Sequence, residues 1–322
     1  MKYTFNFLLL IPLLLSTNTS AKFIEGADIT EYLNQLIKKN QKVVIPPGTY
    51  RIDATKGVKL KSYTEIEMSQ KTELQVIPNS AKSYHVFLLN NIKNASISGG
   101  KITGDKYTHL GKIGEWGMGI EIRDSQNIKI SNMSIDKMWG DAIYIGTKGP
   151  NSSSNIQLTN ISMDNNRRQG LSIISVDTLI AKNITSKNTS GTSPASGIDI
   201  EPNDGFKQLK NIVLENIYTF NNEGAGIQIG LSRYANHRSP ISIRISNHFD
   251  KNSKYGILLG AVNPKSNGSI NISNVDYTLS RTPSCFHSWT NNQISIKASK
   301  DIGFSKEKIC NGYQGNSSFS FR

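Results

Sequence analysis

Hydrophobic and polar positions along the middle of the chain follow a short phrase that recurs every 23 to 30 residues. Apolar and variable positions alternate after a small residue in the copies Gly119–Ile122, Ala142–Ile145, Gly170–Ile173, Gly197–Ile200, Gly226–Ile229 and Gly256–Leu259. An interleaved phrase of similar alternation ends at Asn132, Asn160, Asn183, Asn216, Asn247 and Asn274. Strands this short bury a continuous core only when they stack on neighbours, so the pattern predicts a parallel β-helix.

The recurring asparagines have two interpretations. Asn132, Asn160 and Asn183 begin Asn-X-Ser/Thr triplets, which are possible glycosylation sites. Their regular spacing instead places them at equivalent turns, where stacked amides can hydrogen-bond one another. The sequence therefore favours a structural asparagine ladder.

The two ends of the chain do not follow the repeat. Residues 1–21 have the features of a signal peptide, with Lys2 before a short apolar run and a cleavage site near Ala21. This predicts a secreted or periplasmic protein with no transmembrane segment. Residues 22–60 predict a capping helix, beginning at Asp28, and a first strand. Residues 61–275 form the coils, and residues 276–322 a C-terminal cap with a Cys285–Cys310 disulfide.

Composition and charge indicate which class of molecule the protein binds. The formal net charge of +13 favours a polyanion, although a basic surface also serves solubility. An exported chain without a nucleic-acid-binding motif argues against nucleic acid, so an acidic polysaccharide fits better. The oligomeric state is left open, with a trimer as one option.

The Ile-X-Ile coils, the asparagine ladder and the segment Ile45-Pro-Pro-Gly-Thr-Tyr50 resemble the pectate-lyase-like superfamily. Within it, bacterial right-handed β-helix repeat proteins and phage tailspikes are the most similar. The resemblance implies an all-β fold, a single-stranded right-handed parallel β-helix with an N-terminal capping helix. The superfamily includes polysaccharide lyases, hydrolases and uronate epimerases as well as surface proteins, so the fold does not decide the reaction.

Charged and aromatic residues concentrate in the coils between residues 116 and 204, which predicts a site there. The middle position of each phrase is expected to face solvent. Trp116 and Trp139 are expected to stack as a platform for sugar rings, although they could instead pack a turn. The other predicted substrate-binding residues are Arg167, Gln169 and Arg123.

The strongest motif is Gly197-Ile-Asp-Ile-Glu-Pro-Asn-Asp204. Asp199 and Glu201 lie two apart on a strand and therefore share a face, as an acid/base pair or, with Asp204, as a Ca²⁺ site. The alternative is a polar strand neutralised by arginines. The motif lacks the nearby histidine of the epimerases and the paired-Asp and His-Gly motifs of polygalacturonase-type hydrolases.

Asp141, Tyr144 and Arg168 complete the predicted catalytic set, with Tyr144 or Arg168 as base or acid in a β-elimination. When the coils are aligned on the repeated phrase, Asp141 and Asp199 are two coils apart, more than ~10 Å, which makes them a poor catalytic pair. The five histidines receive no role. The sequence thus predicts a polysaccharide-degrading enzyme, with a lyase favoured over a glycoside hydrolase. A C5-epimerase and a non-catalytic glycan-binding protein are the alternatives.

Overall fold

The computed structural model describes residues 23–149, 152–205, 207–234, 239–260, 263, 265–287, 293–298 and 319–321. The predicted signal peptide, residues 1–21, lies outside this part of the chain. So does Cys310, the predicted disulfide partner of Cys285. Among the described residues, no helix is both long and apolar enough to cross a bilayer.

Two parallel sheets build the described structure, and a coil of the chain contributes strands to each. The larger sheet contains β1 (Lys42–Ile45), β2 (Gly48–Ile52), β4 (Glu65–Met68), β5 (Thr72–Val76), β7 (Lys93–Ser98), β8 (Lys101–Thr103), β10 (Gln126–Asp136), β12 (Ser153–Asp164), β14 (Val176–Lys187), β16 (Leu209–Phe220), β18 (Ile241–Lys251), β20 (Asn267–Leu279), β22 (Gln293–Ala298) and β23 (Phe319–Phe321). The smaller sheet contains β3 (Val58–Lys59), β6 (Ser83–Asn90), β9 (Trp116–Arg123), β11 (Ile143–Gly146), β13 (Gln169–Ile173), β15 (Ser196–Ile200), β17 (Ala225–Gly230), β19 (Tyr255–Gly260) and β21 (Ser284–His287). The predicted parallel β-helix is confirmed.

The core consists of rows of apolar side chains that run from coil to coil. Strand pairing aligns Ile120 with Ile143, then with Leu171 and Ile198. All four side chains have an exposed fraction of 0%. Because each coil is covered by its neighbours, the repeated phrase is the direct cause of this continuous core.

The asparagines that end the second phrase form the predicted ladder. Asn160 donates to Asn132 over 2.8 Å, Asn183 to Asn160 over 2.9 Å, and Asn216 to Asn183 over 3.0 Å. Each has a φ of 56°, in the left-handed region that asparagine tolerates better than most residues. The ladder therefore marks a corner in each long strand of the larger sheet.

The predicted capping helix is α1 (Thr30–Lys39), and it contacts β1 and β3, the first strands of the two sheets. Its start differs from the prediction, because Ile29 and not Asp28 occupies the N-cap position. The Asp28 carboxylate still accepts a hydrogen bond of 2.9 Å from the Thr30 backbone N–H. Leu33 and Ile37 are buried, as their spacing on one helical face predicts.

We expect Asn183→Ala to lower the free energy of unfolding by about 2 kcal/mol, because it removes two amide hydrogen bonds and places a Cβ residue in the left-handed region. Asn183→Gly should lose only about half as much, since glycine adopts this conformation readily. Chemical denaturation of both variants measures the difference. Equal losses would contradict a conformational role for the ladder residue.

Candidate active site

The middle positions of successive phrases form a row across the outer face of the smaller sheet. Strand pairing brings together Glu121, Tyr144, Ser172, Asp199 and Gln228 in that order. The prediction that this row faces solvent is wrong for its first four members, whose exposed fractions are between 0% and 7%.

Asp141 and Asp199 belong to one hydrogen-bonded centre. The Asp141 carboxylate accepts a hydrogen bond of 2.8 Å from the Ser172 hydroxyl, and Ser172 is the strand neighbour of Asp199. The Gln169 amide donates to the other acid, Asp199, over 3.1 Å. The expectation that Asp141 and Asp199 are a poor pair is weakened, because Asp141 contacts the strand neighbour of Asp199. It ignored the reach of the Asp141 side chain across to β13.

Arg168 is the cation of this centre. Its guanidinium lies 3.1 Å from the Asp141 carboxylate and 3.8 Å from that of Glu115. Burial alone would lower its pKa, but the fields of Asp141 and Asp199, with those of Glu115 and Glu201, hold the pKa raised. Arg168 is therefore already paired by protein carboxylates, and its role as acid or base stays a prediction.

Burial dominates the acid chemistry of the centre. It raises the pKa of Asp141 from 3.8 to about 6, although Arg168 and Ser172 act in the opposite direction. Burial and the nearby charge of Glu201 raise the pKa of Asp199 well above its ordinary value, and Asp141 adds to the effect. Carboxyl groups that keep a proton towards neutral pH suit general acid catalysis.

Two polar atoms of the centre have no hydrogen-bond partner among the described residues. They are Oδ1 of Asp199 and Nε of Arg168, and both are buried. Most buried polar atoms in proteins are paired, so such atoms call for an explanation.

The predicted calcium ligands do not converge. Asp199 is fully buried, whereas Asp204 pairs with Lys207 at 3.0 Å. Among the described residues, no group of three or more His, Cys, Asp or Glu side chains is arranged to hold a metal ion. Calcium binding stays a prediction, and the chemistry proposed below takes no step through a metal.

Arg123 and Tyr144 form a second polar group, one to two strands before Ser172. The Arg123 guanidinium lies 4.3 Å from the centre of the Tyr144 ring and donates to its hydroxyl over 3.3 Å. It also pairs with Glu121, whose carboxylate lies 3.1 Å from Nδ1 of His85. Burial opposes ionisation of Glu121, but its bonds to His85 and Arg123 lower its pKa to about 2.

The two tryptophans do not form the expected platform. Trp116 is 47% exposed, but Trp139 is only 9% exposed. The His109 ring stacks on Trp139 at 4.0 Å, and the Arg167 guanidinium lies 3.7 Å from the centre of its ring. Arg167 also donates to the backbone oxygen of Gly114 over 2.9 Å. Trp139 and Arg167 thus hold the connection 104–115 in place.

A buried aspartate–histidine pair anchors that connection, and the sequence analysis missed it. The Asp105 carboxylate lies 2.8 Å from Nδ1 of His109 and accepts a hydrogen bond from the Tyr84 hydroxyl. Asp105 and His109 come from a segment without the repeat, so aligning the coils gives no position for them. Their position matters because the same connection carries Glu115 to Arg168.

Gln169 is also a supporting residue, not the surface contact that was predicted. It is fully buried, and its amide oxygen accepts a hydrogen bond of 2.9 Å from the Ser196 backbone N–H. Since its amide nitrogen donates to Asp199, Gln169 orients that carboxyl group from the neighbouring strand.

No family model matches the chain. Two curated relatives come from Bacillus subtilis (strain 168). The uncharacterized protein YclG is 30% identical over 54% of this chain and 35% of its own length. The SPbeta prophage-derived protein YorA is 27% identical over 49% of this chain and 32% of its own length. The matched region thus spans about a third of each relative.

Solved structures resemble the whole solenoid. Tailspike gp49 of Acinetobacter baumannii bacteriophage Fri1, a capsular polysaccharide depolymerase, has a TM-score of 0.60 at 13% identity, over 92% of this chain and 61% of its own. The Streptococcus pneumoniae surface adhesin PfbA has 0.59 at 17%, over 91% and 75%. The A-module of the Azotobacter vinelandii mannuronan C-5 epimerase AlgE6 has 0.55 at 13%, over 92% and 87%. These likenesses confirm the right-handed parallel β-helix fold.

The raised pKa of Asp141 predicts a pH-dependent stability. The folded state binds this proton more tightly than the unfolded state, so the contribution is present below about pH 4 and is lost as pH rises through about 6. Asp141→Asn should lack it, so the stability difference between wild type and variant should change by about 3 kcal/mol between about pH 4 and about pH 7. Denaturation at several pH values tests this, with Asp177→Asn on the larger sheet as control. Parallel curves for wild type and Asp141→Asn would contradict the burial argument.

Proposed function

We propose that this chain hydrolyses glycosidic bonds of a polysaccharide at the centre formed by Asp141, Asp199, Glu201 and Arg168. One arrangement carries the proposal: Asp141 contacts Ser172, the strand neighbour of Asp199, and Glu201 follows Asp199 by two residues on the same face. Burial raises the pKa of both aspartates. Glycoside hydrolysis requires one carboxyl group that keeps its proton and a second that is ionised.

The environments of the acids suggest their roles. Burial raises the pKa of Asp199 and so favours its protonated form, and its Oδ1, which has no hydrogen-bond partner among the described residues, would protonate the leaving oxygen. Glu201, which directly follows β15 and is half-buried, would act as the second carboxyl group, towards water or the anomeric carbon. Asp141 and Arg168 would position and balance the charge of this pair.

β-Elimination is the second candidate, and the Arg123–Tyr144 pair favours it. In that reaction a cation neutralises a uronate carboxylate while a base removes the C5 proton. Arg123 beside the Tyr144 hydroxyl offers both chemical groups. C5-epimerisation shares the first step, but it would introduce solvent deuterium without shortening the polymer.

The net charge of +13 supports an acidic polymer as substrate. The depolymerase and epimerase with the same fold support action on a glycan, whereas the adhesin keeps a non-catalytic, glycan-binding role as the alternative. Secretion follows from the predicted signal peptide and is part of this proposal.

We expect purified protein to release reducing ends from an acidic polysaccharide in a panel of uronate polymers and capsular polysaccharides. Asp199→Asn and Glu201→Gln should each lower the rate by 10²-fold or more, since each removes an acid or base at the reacting centre. Glu215→Gln, which removes a surface carboxylate on the larger sheet, is the matched control and should keep full activity.

Other outcomes separate the rival functions. Ultraviolet absorbance of an unsaturated uronate would establish a lyase, and its loss with chelator would assign a metal. Glycan binding that survives the double variant Asp199→Ala/Glu201→Ala, with no turnover by wild type, would establish a binding protein. If the protein neither binds nor cleaves any polymer in the panel, the proposal is overturned.

A further inference from the structure

A pocket of about 260 Å³ opens on the outer face of the smaller sheet, beyond the acids in the direction of the C-terminus. Its walls include Pro194, Glu223, Gln228, Lys254, Tyr255 and Leu258. The volume is below that of most drug-sized sites and suits a small group such as one sugar ring.

Gln228 joins this pocket to the acidic centre. It is the strand neighbour of Asp199, and its side chain opposes the rise in the pKa of that carboxyl group. Its amide oxygen also lies 3.4 Å from the Ser196 hydroxyl. Strand neighbours are about 4.8 Å apart, so a polymer lying along the solenoid axis passes from the acids directly into the pocket.

The lining offers the contacts that a sugar ring uses. Tyr255 and Leu258 are half-buried and present apolar surface, on which the C–H groups of a ring can pack. Gln228 and Glu223 provide acceptors for hydroxyl groups. A pyranose ring has apolar C–H faces and polar hydroxyl groups, so an apolar wall with hydrogen-bonding groups beside it is a suitable lining.

Lys254 adds a cation at the rim. Its backbone N–H donates to the Gly224 oxygen over 2.9 Å, which fixes its place on the coil, and its ammonium lies 5.4 Å from the centre of the Tyr255 ring. Among the described residues, no carboxylate lies within ion-pair distance of it. A lysine left exposed in this way can bind an anionic substituent.

We propose that this pocket is a sugar-binding subsite for the ring next to the cleaved bond, and that Lys254 binds an anionic group on that ring. The inference rests on the proposed function, because it requires a polymer at the acidic centre. It adds a direction, since the polymer would extend from Asp199 over Gln228 and Leu258.

The test compares wild type, Lys254→Met and Tyr255→Ala on the polymer that wild type cleaves fastest. Lys254→Met should raise KM about tenfold, as expected for loss of a charge-assisted hydrogen bond, with kcat within about twofold. It should also weaken the dependence of KM on salt. Tyr255→Ala should raise KM and change the length distribution of the products.

Lys251→Met is the matched control, since it removes the same charge three residues earlier, on the larger sheet. A KM effect equal to that of the control, or a fall in kcat with unchanged KM, would overturn the subsite while leaving the proposed function intact. If wild type cleaves no polymer in the panel, the proposed function fails and the subsite with it. Titration of oligosaccharide into Glu201→Gln, with and without Lys254→Met, measures the same effect by binding alone.

Discussion

The hydrogen-bonded stacking of one coil on the next is the constraint on which the rest of the structure depends. No coil buries its own apolar residues, and the backbone groups of each strand are satisfied by the coils on both sides. Parallel pairing keeps one register across rows such as Ile120, Ile143 and Leu171. Equivalent side chains are therefore held about one strand spacing apart. This holds on the outer face as well as in the core.

The fixed spacing explains the electrostatics of the acidic centre. Ser172 and Asp199 cannot move apart, and Asp141 reaches into the same row from the preceding strand. Burial and crowding raise the pKa of Asp141 and Asp199, and Arg168 offsets only part of this rise. A sheet face that served stability alone would be better filled with apolar groups. Carboxyl groups maintained there are typical of a functional site.

The success of the sequence analysis depended on the repeat. The strands and the asparagine ladder follow a period, and each has a local physical cause, so both were predictable. The pairing of Arg168 with Glu115 was not, because the connection 104–115 has no repeat and its position depends on tertiary contacts. The same reason explains why His109 was overlooked and why Trp139 was expected on the surface.

A solenoid can change its outer row without changing its core, so likeness of fold to an adhesin, a depolymerase and an epimerase is compatible with different chemistry. In this chain, the groups follow one another along the outer face of the smaller sheet. Arg123 and Tyr144 lie before the acids, and Gln228 leads to the pocket after them. A polymer aligned with the axis meets these groups in sequence, one strand at a time. The stacking that builds the core would then also determine the order in which the sugar units contact these side chains.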